Sequence, residues 1–153
     1  MTRIRSTAVI VAVVVVLALL LVLTRRQEST LGAPPSSQEL SWCMERMQIK
    51  LPTDARPLMF YYASGLDAVA YLKVELRKDD LDSFLAASPF AAAQLSESEK
   101  AVSRERGMPW WDVATVARFL SGMAQLPDAR RLYILVNLDQ PDTCTVYLNW
   151  WET

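Results

Sequence analysis

A chain of 153 residues that contains no histidine cannot build a histidine-based catalytic triad and lacks the usual nitrogen ligand for zinc. Four of its 16 basic residues (Arg3, Arg5, Arg25, Arg26) precede Gln27 and none of its 17 acidic residues does, which leaves 12 basic against 17 acidic groups beyond that point. That excess of about five negative charges repels phosphate backbones, and no basic cluster with interleaved aromatics offsets it, so a nucleic-acid partner is excluded.

The first element in the chain is apolar. Ala8 to Leu23 carries no polar side chain, and Thr7 and Thr24 extend the uncharged run to residues 7–24. Eighteen residues at about 1.5 Å each span roughly 27 Å, close to a hydrocarbon core of about 30 Å. The run therefore predicts a transmembrane helix over 7–24, with a short tail at 1–6 and the lipid bilayer as partner. A brief N-terminal tail with all the remaining chain downstream favours a single-pass anchor in a bacterial cell membrane with the C-terminal part extracytoplasmic. Arg25, Arg26 and Gln27 stand where a signal peptidase needs small residues, so an uncleaved anchor is preferred to a cleaved signal, and a secreted domain is the alternative.

Residues 25–38, with Gly32 and the pair Pro34-Pro35, read as a stalk, and 39–153 as the folded domain. Leu40, Trp42 and Met44 alternate with Ser41, Cys43 and Glu45, which predicts a half-buried first strand. The run from Leu58 to Tyr62 is expected to pair with Ala70 to Leu76 through a reversal at Ser64-Gly65, where glycine tolerates tight turn angles. Ala70, Leu72, Val74 and Leu76 form the apolar side of the second strand, with Tyr71, Lys73, Glu75 and Arg77 opposite. Asp79 stands as N-cap to a helix that buries Leu81, Phe84 and Leu85 and closes at Ser88-Pro89.

Ser96 and Glu99 fit a capping box for a short helix over 97–104, with its charged residues solvated. Val113, Val116, Phe119 and Leu120 have the spacing of an amphipathic helix over 112–120, and the alternative is that this stretch wraps the core irregularly. Arg131 to Leu138 and Thr143 to Trp151 predict an antiparallel hairpin around a turn at 139–142, with Cys144, Val146, Leu148 and Trp150 on one face and Thr145, Tyr147, Asn149 and Trp151 on the other. The fold class expected is α+β: an N-terminal transmembrane helix, then a small antiparallel sheet with a helix packed on one face.

Leu31 to Ser37 (LGAPPSS), the hairpin FYYASGLDAVAYLKVEL, DLDSFLA, the Pro109-Trp110-Trp111 element and the closing VYLNWWE resemble a group of small uncharacterised bacterial proteins that are exported or membrane-anchored. Ala33, Pro34, Pro35 and Ser36 stand for the entry motif of that group, and Val146, Tyr147 and Leu148 for its late strand. The resemblance implies one intact domain at the cell envelope and supplies no catalytic residues.

Five tryptophans are a large share of indole for this length. Tyr147, Asn149 and Trp151, with Trp110 and Trp111, are the candidate partner-binding surface, a platform for sugar, peptide or protein; the preferred reading has the rings sealing a small core and its loop, and Trp110-Trp111 could equally cover the open side of the sheet. Cys43 and Cys144 are too few for a thiolate zinc site and either form one disulfide, worth about 4 kcal/mol, or serve as two buried thiols. Asn137, Asp139 and Asp142 gather oxygens at a bend but match no calcium loop. No catalytic, metal or cofactor residue is assigned. The expected function is non-enzymatic binding of a protein or envelope component by a membrane-anchored domain. The alternatives are an accessory subunit of a larger membrane complex and an enzyme of unknown class.

Overall fold

In the computed structural model the described residues are 32–65, 67–90, 95–105 and 107–152. The tail expected at 1–6, the transmembrane helix expected over 7–24 and residues 25–31 of the expected stalk lie outside them. Among the described residues no helix is long and apolar enough to cross a membrane.

Ser36 opens the first helix, α1 (Ser37–Met47). Its hydroxyl accepts the Glu39 amide, while the Glu39 carboxylate accepts the Ser36 amide at 2.8 Å and hydroxyl at 2.7 Å. This reciprocal cap satisfies donors that the first helical turn leaves open. Gln48 turns left-handed at φ 55° to end the helix, and the Ile49 amide closes on Met44 O. The strand expected from Leu40 is thus a helix. Leu40, Cys43, Met44 and Met47 recur at helical spacing, and Cys43 and Met47 are fully buried.

Five antiparallel strands follow: β1 (Arg56–Ala63), β2 (Ala68–Arg77), β3 (Phe119–Gln125), β4 (Arg131–Asn137) and β5 (Thr143–Glu152). Their order across the sheet is β1-β2-β5-β4-β3, which places the last strand at the centre. β2 and β5 pair along their full length, from Ala68 opposite Glu152 to Arg77 opposite Thr143. The β1–β2 hairpin forms as expected, but Gly65 is not among the glycines at positive φ, so its special freedom is not what shapes the bend. Gly32 is one of them, at φ 141°, and Ala33 forms an isolated bridge to Phe60 on the outer edge of β1.

One face of the sheet carries Leu72, Val74, Leu132, Ile134, Val146 and Leu148, all without solvent contact. α1 and the short helix α2 (Leu81–Ala86) cover it through Cys43, Met47, Leu81, Phe84 and Leu85. Each such side chain withdrawn from water contributes about 1.5–3 kcal/mol. Asp79 does not cap α2: Lys78–Asp80 form a 3-10 turn tied by the Lys78 amide to Asp142 O, and α2 has no side-chain cap.

The opposite face is covered too, by irregular stretches over 95–105 and 107–118 that set Val102, Met108, Trp111, Val113 and Val116 against Tyr71, Leu135 and Tyr147. The helix expected over 97–104 is absent. Ser96 does accept the Ser98 and Glu99 amides, yet its own backbone bridges Ser121 instead of starting a helix. Lys100 is not solvated as expected: its ammonium donates to Val113 O at 2.9 Å and Val116 O at 2.7 Å. The helix expected over 112–120 is one 3-10 turn, Val113–Thr115, before the edge strand β3 begins.

Candidate binding surface

The stretches over 95–105 and 107–118 change what the loop-covered face can present. Tyr147 is 1% exposed and Trp111 2%, and Asn149 is also buried, so these three do not form the candidate open platform. Trp111 instead wedges edge-on between Tyr71 and Tyr147, with ring centroids 5.0 and 5.3 Å away, and meets Trp110 at 5.6 Å. Its indole N–H donates to Ser103 O at 3.1 Å. Four of the five tryptophans are committed to packing: Trp42 lies against Phe60, Tyr62 and Trp150, and Trp150 is buried.

A polar knot pins this cover to the sheet. Lys73 donates to Asp112 Oδ1 at 2.7 Å and to Trp110 O at 3.0 Å, while the Tyr147 hydroxyl donates to the same Asp112 oxygen at 2.7 Å. Burial alone would raise the Asp112 carboxyl, but the hydrogen bonds from Lys73 and Tyr147 and the Lys73 charge hold it below the ordinary carboxylate range. Burial, then the neighbouring Asp112 carboxylate, pushes the Tyr147 hydroxyl up, so it remains a donor throughout the physiological range.

The remaining candidates resolve into structural roles. Asp139 accepts the Ala117 and Arg118 amides at 3.1 and 2.8 Å, and these bonds lower its pKa, while Asn137 accepts the Asp139 amide. Those oxygens are spent on the turn. Among the described residues no group of three or more His, Cys, Asp or Glu side chains is placed to hold a metal. Cys43 and Cys144 are both free and buried in the helix-covered core, so the bond weighed between them is not formed. Cys43 rides on α1, not on a strand beside β5. Burial pushes its thiol up to about 12 and that of Cys144 up to about 11, which makes both poor nucleophiles near neutral pH.

Trp151 belongs to neither packed cluster and stays half-exposed. It stands at the end of the sheet where Val69, Trp151 and Arg131 are opposite one another in register. Asn149 Oδ1 accepts its indole N–H and fixes the ring. Trp151, Tyr133, Arg131 and Ala129 line a depression of about 250 Å³. Arg131 is exposed and forms no ion pair or side-chain hydrogen bond among the described residues. Its neighbour Arg130 is engaged, donating to Pro127 O and reaching Asp128. Ala129 and Asp128 both hold φ 61°, so the rim is built on a turn that non-glycine residues adopt at a cost of about 1 kcal/mol each.

Arg131 and Tyr133 were not singled out by the sequence, although the alternation Arg131, Tyr133, Leu135, Asn137 and the hairpin register carry the signal. A larger hollow of about 530 Å³ lies along the covering segment beside Met108, Pro109, Trp111 and Asp112. Its acid is already spent on Lys73 and Tyr147, and Arg104 and Glu105 on its rim oppose one another in charge. No family model matches the chain, and no curated relative or solved structure matches it.

Proposed function

We propose that this chain is a membrane-anchored, non-enzymatic binding domain of the bacterial cell envelope, holding a protein or envelope component at the open end of its loop-covered face. The observation that carries this reading is Trp151, a large ring kept half-exposed and locked by Asn149 beside Tyr133 and the unengaged Arg131. The uncharged run over 7–24 supports an anchor, with the domain extracytoplasmic, and so does the likeness to exported and anchored bacterial proteins. Confinement at a membrane raises the local concentration of a neighbouring partner, so a shallow surface of modest affinity is sufficient.

The experiment is capture from native membranes by the full-length protein carrying a photoreactive residue at Met123, which is 45% exposed and stands opposite Tyr133 in register. Adducts are compared between that parent and the same chain with Trp151→Ala and Tyr133→Ala. Loss of a discrete adduct, at unchanged melting temperature, supports the reading. An identical adduct pattern in both chains overturns it. Accessibility labelling of a cysteine placed at Asp128, in a chain whose own thiols are buried, reports which side of the membrane the domain occupies.

A further inference from the structure

We infer that the depression at Trp151 receives a sugar ring bearing a single carboxylate, an inference that rests on the binding role proposed above for the same surface. Three observations narrow the ligand. The indole N–H of Trp151 is already donated to Asn149, so the ring has only its face and edge to offer. A flat apolar face is what the C–H side of a pyranose stacks upon. The volume of about 250 Å³ lies below the range of about 300–1,000 Å³ for drug-sized pockets, which gives room for one ring to sit in the depression.

The second observation is charge. Arg131 is the one charged side chain lining the depression among the described residues, no acid lines it, and its guanidinium suits a carboxylate through paired N–H donors. The domain around it, residues 39–153, carries about four net negative charges, which disfavours a polyanion such as a phosphate polymer while leaving a single carboxylate on a neutral ring attractive. The third is openness. A protein anchor residue is typically enclosed in a fully desolvated pocket, whereas this hollow leaves Arg131 exposed and Trp151 and Tyr133 half-exposed, an arrangement in which a sugar keeps its outward hydroxyls in water.

The test uses the full-length chain in detergent with ¹⁵N-labelled indoles, so that the Trp151 N–H is read apart from the other four tryptophans. The probes are glucuronate, glucose, acetate and the acidic aromatic dipeptide Phe-Glu. Glucuronate is expected to shift the Trp151 signal at millimolar concentration, with glucose weaker by roughly five- to tenfold for want of the charge-assisted pair. Arg131→Gln should erase the difference between the two sugars while preserving glucose binding. In Trp151→Phe, whose smaller ring keeps an apolar face, ¹³C-labelled tyrosine replaces the indole label so that the Tyr133 ring is the reporter, and both sugars should weaken.

Equal shifts with acetate alone would reduce the site to a bare anion contact and overturn the inference. A stronger response to Phe-Glu would assign the surface to peptide and overturn it as well. If no sugar binds yet the photo-adduct still depends on Trp151, the sugar assignment falls and the binding role stands; if neither occurs, both fall.

Discussion

The Tyr147 hydroxyl reaches 2.7 Å across to Asp112 Oδ1 and so joins the floor of the central strand to the segment that covers it. Because Lys73 donates to that same oxygen, a half-exposed carboxylate holds together the sheet, its cover and a buried phenol.

Replacing Asp112 by alanine should cost about 1–2 kcal/mol, since two charge-assisted bonds are lost but solvent screens part of their strength. The urea midpoint measures it. The Asp112 carboxyl is held below its ordinary range in the fold, so its contribution is complete above the unfolded value of about 3.9 and disappears as pH falls through the lower folded value. The wild type should therefore lose more stability between pH 7 and pH 3 than Asp112→Asn does, measured as the difference of urea midpoints at the two pH values.

Lys100→Met removes an ammonium that three carbonyls share, those of Val113, Ala114 and Val116. The expected result is faster amide hydrogen exchange confined to the 3-10 turn and the residues that flank it, with the sheet protected as before. Exchange that rises equally in β2 and β5 would show that this cover and the sheet open as one unit.

Ser36→Ala should destabilise the domain by about 1 kcal/mol, the usual worth of an N-cap side chain. Here Glu39 loses the hydroxyl that it accepts at 2.7 Å, so Glu39→Ala should cost little more once Ser36 is gone. Thermal melts of the two single variants and the double variant measure that coupling.

Gly32→Ala tests a different constraint. A Cβ there would stand 2.6 Å from Trp110 Nε1 and 2.7 Å from the Met59 terminal methyl, on a backbone at φ 141° that side-chain-bearing residues rarely adopt. A loss of about 1–3 kcal/mol is expected, with a shift of the Trp110 indole resonance. Truncating Leu148 at the centre of β5 should cost more, about 2–5 kcal/mol, because it has no solvent contact and neighbours on every side.

How far the sequence disclosed this structure depended on whether local pattern and tertiary partner agreed. Strands β2 and β5 are legible because alternation continues in each for several residues, and β1 and β4 because each is a continuous apolar and aromatic run that precedes one of them across a short reversal. α1 is ambiguous in the sequence because Leu40, Trp42 and Met44 satisfy a period of two while Leu40, Cys43, Met44 and Met47 satisfy 3.6; the Ser36–Glu39 capping box is the signal that decides for the helix. β3 was hidden by Gly122 at its middle and by helical spacing just before it, and it exists because Leu120 and Ala124 meet Val136 and Leu132 across the sheet. The aromatic face is not a platform because Trp111, thirty-six positions before Tyr147, returns to cover it, the alternative that the Trp110-Trp111 pair offered; local pattern alone does not decide between an open and a covered face. Trp151, further along the same face, stays outside that packed cluster and keeps part of its exposure.

The placement of β5 between β2 and β4 bears on how the domain is made. Without Thr143–Glu152 the remaining strands pair only as two hairpins, β1 with β2 and β3 with β4, that share no hydrogen-bonded edge. The helix-facing residues of both hairpins would then border on water where β5 now stands. A stop codon just ahead of Thr143 should therefore leave two separate halves for the cell's proteases.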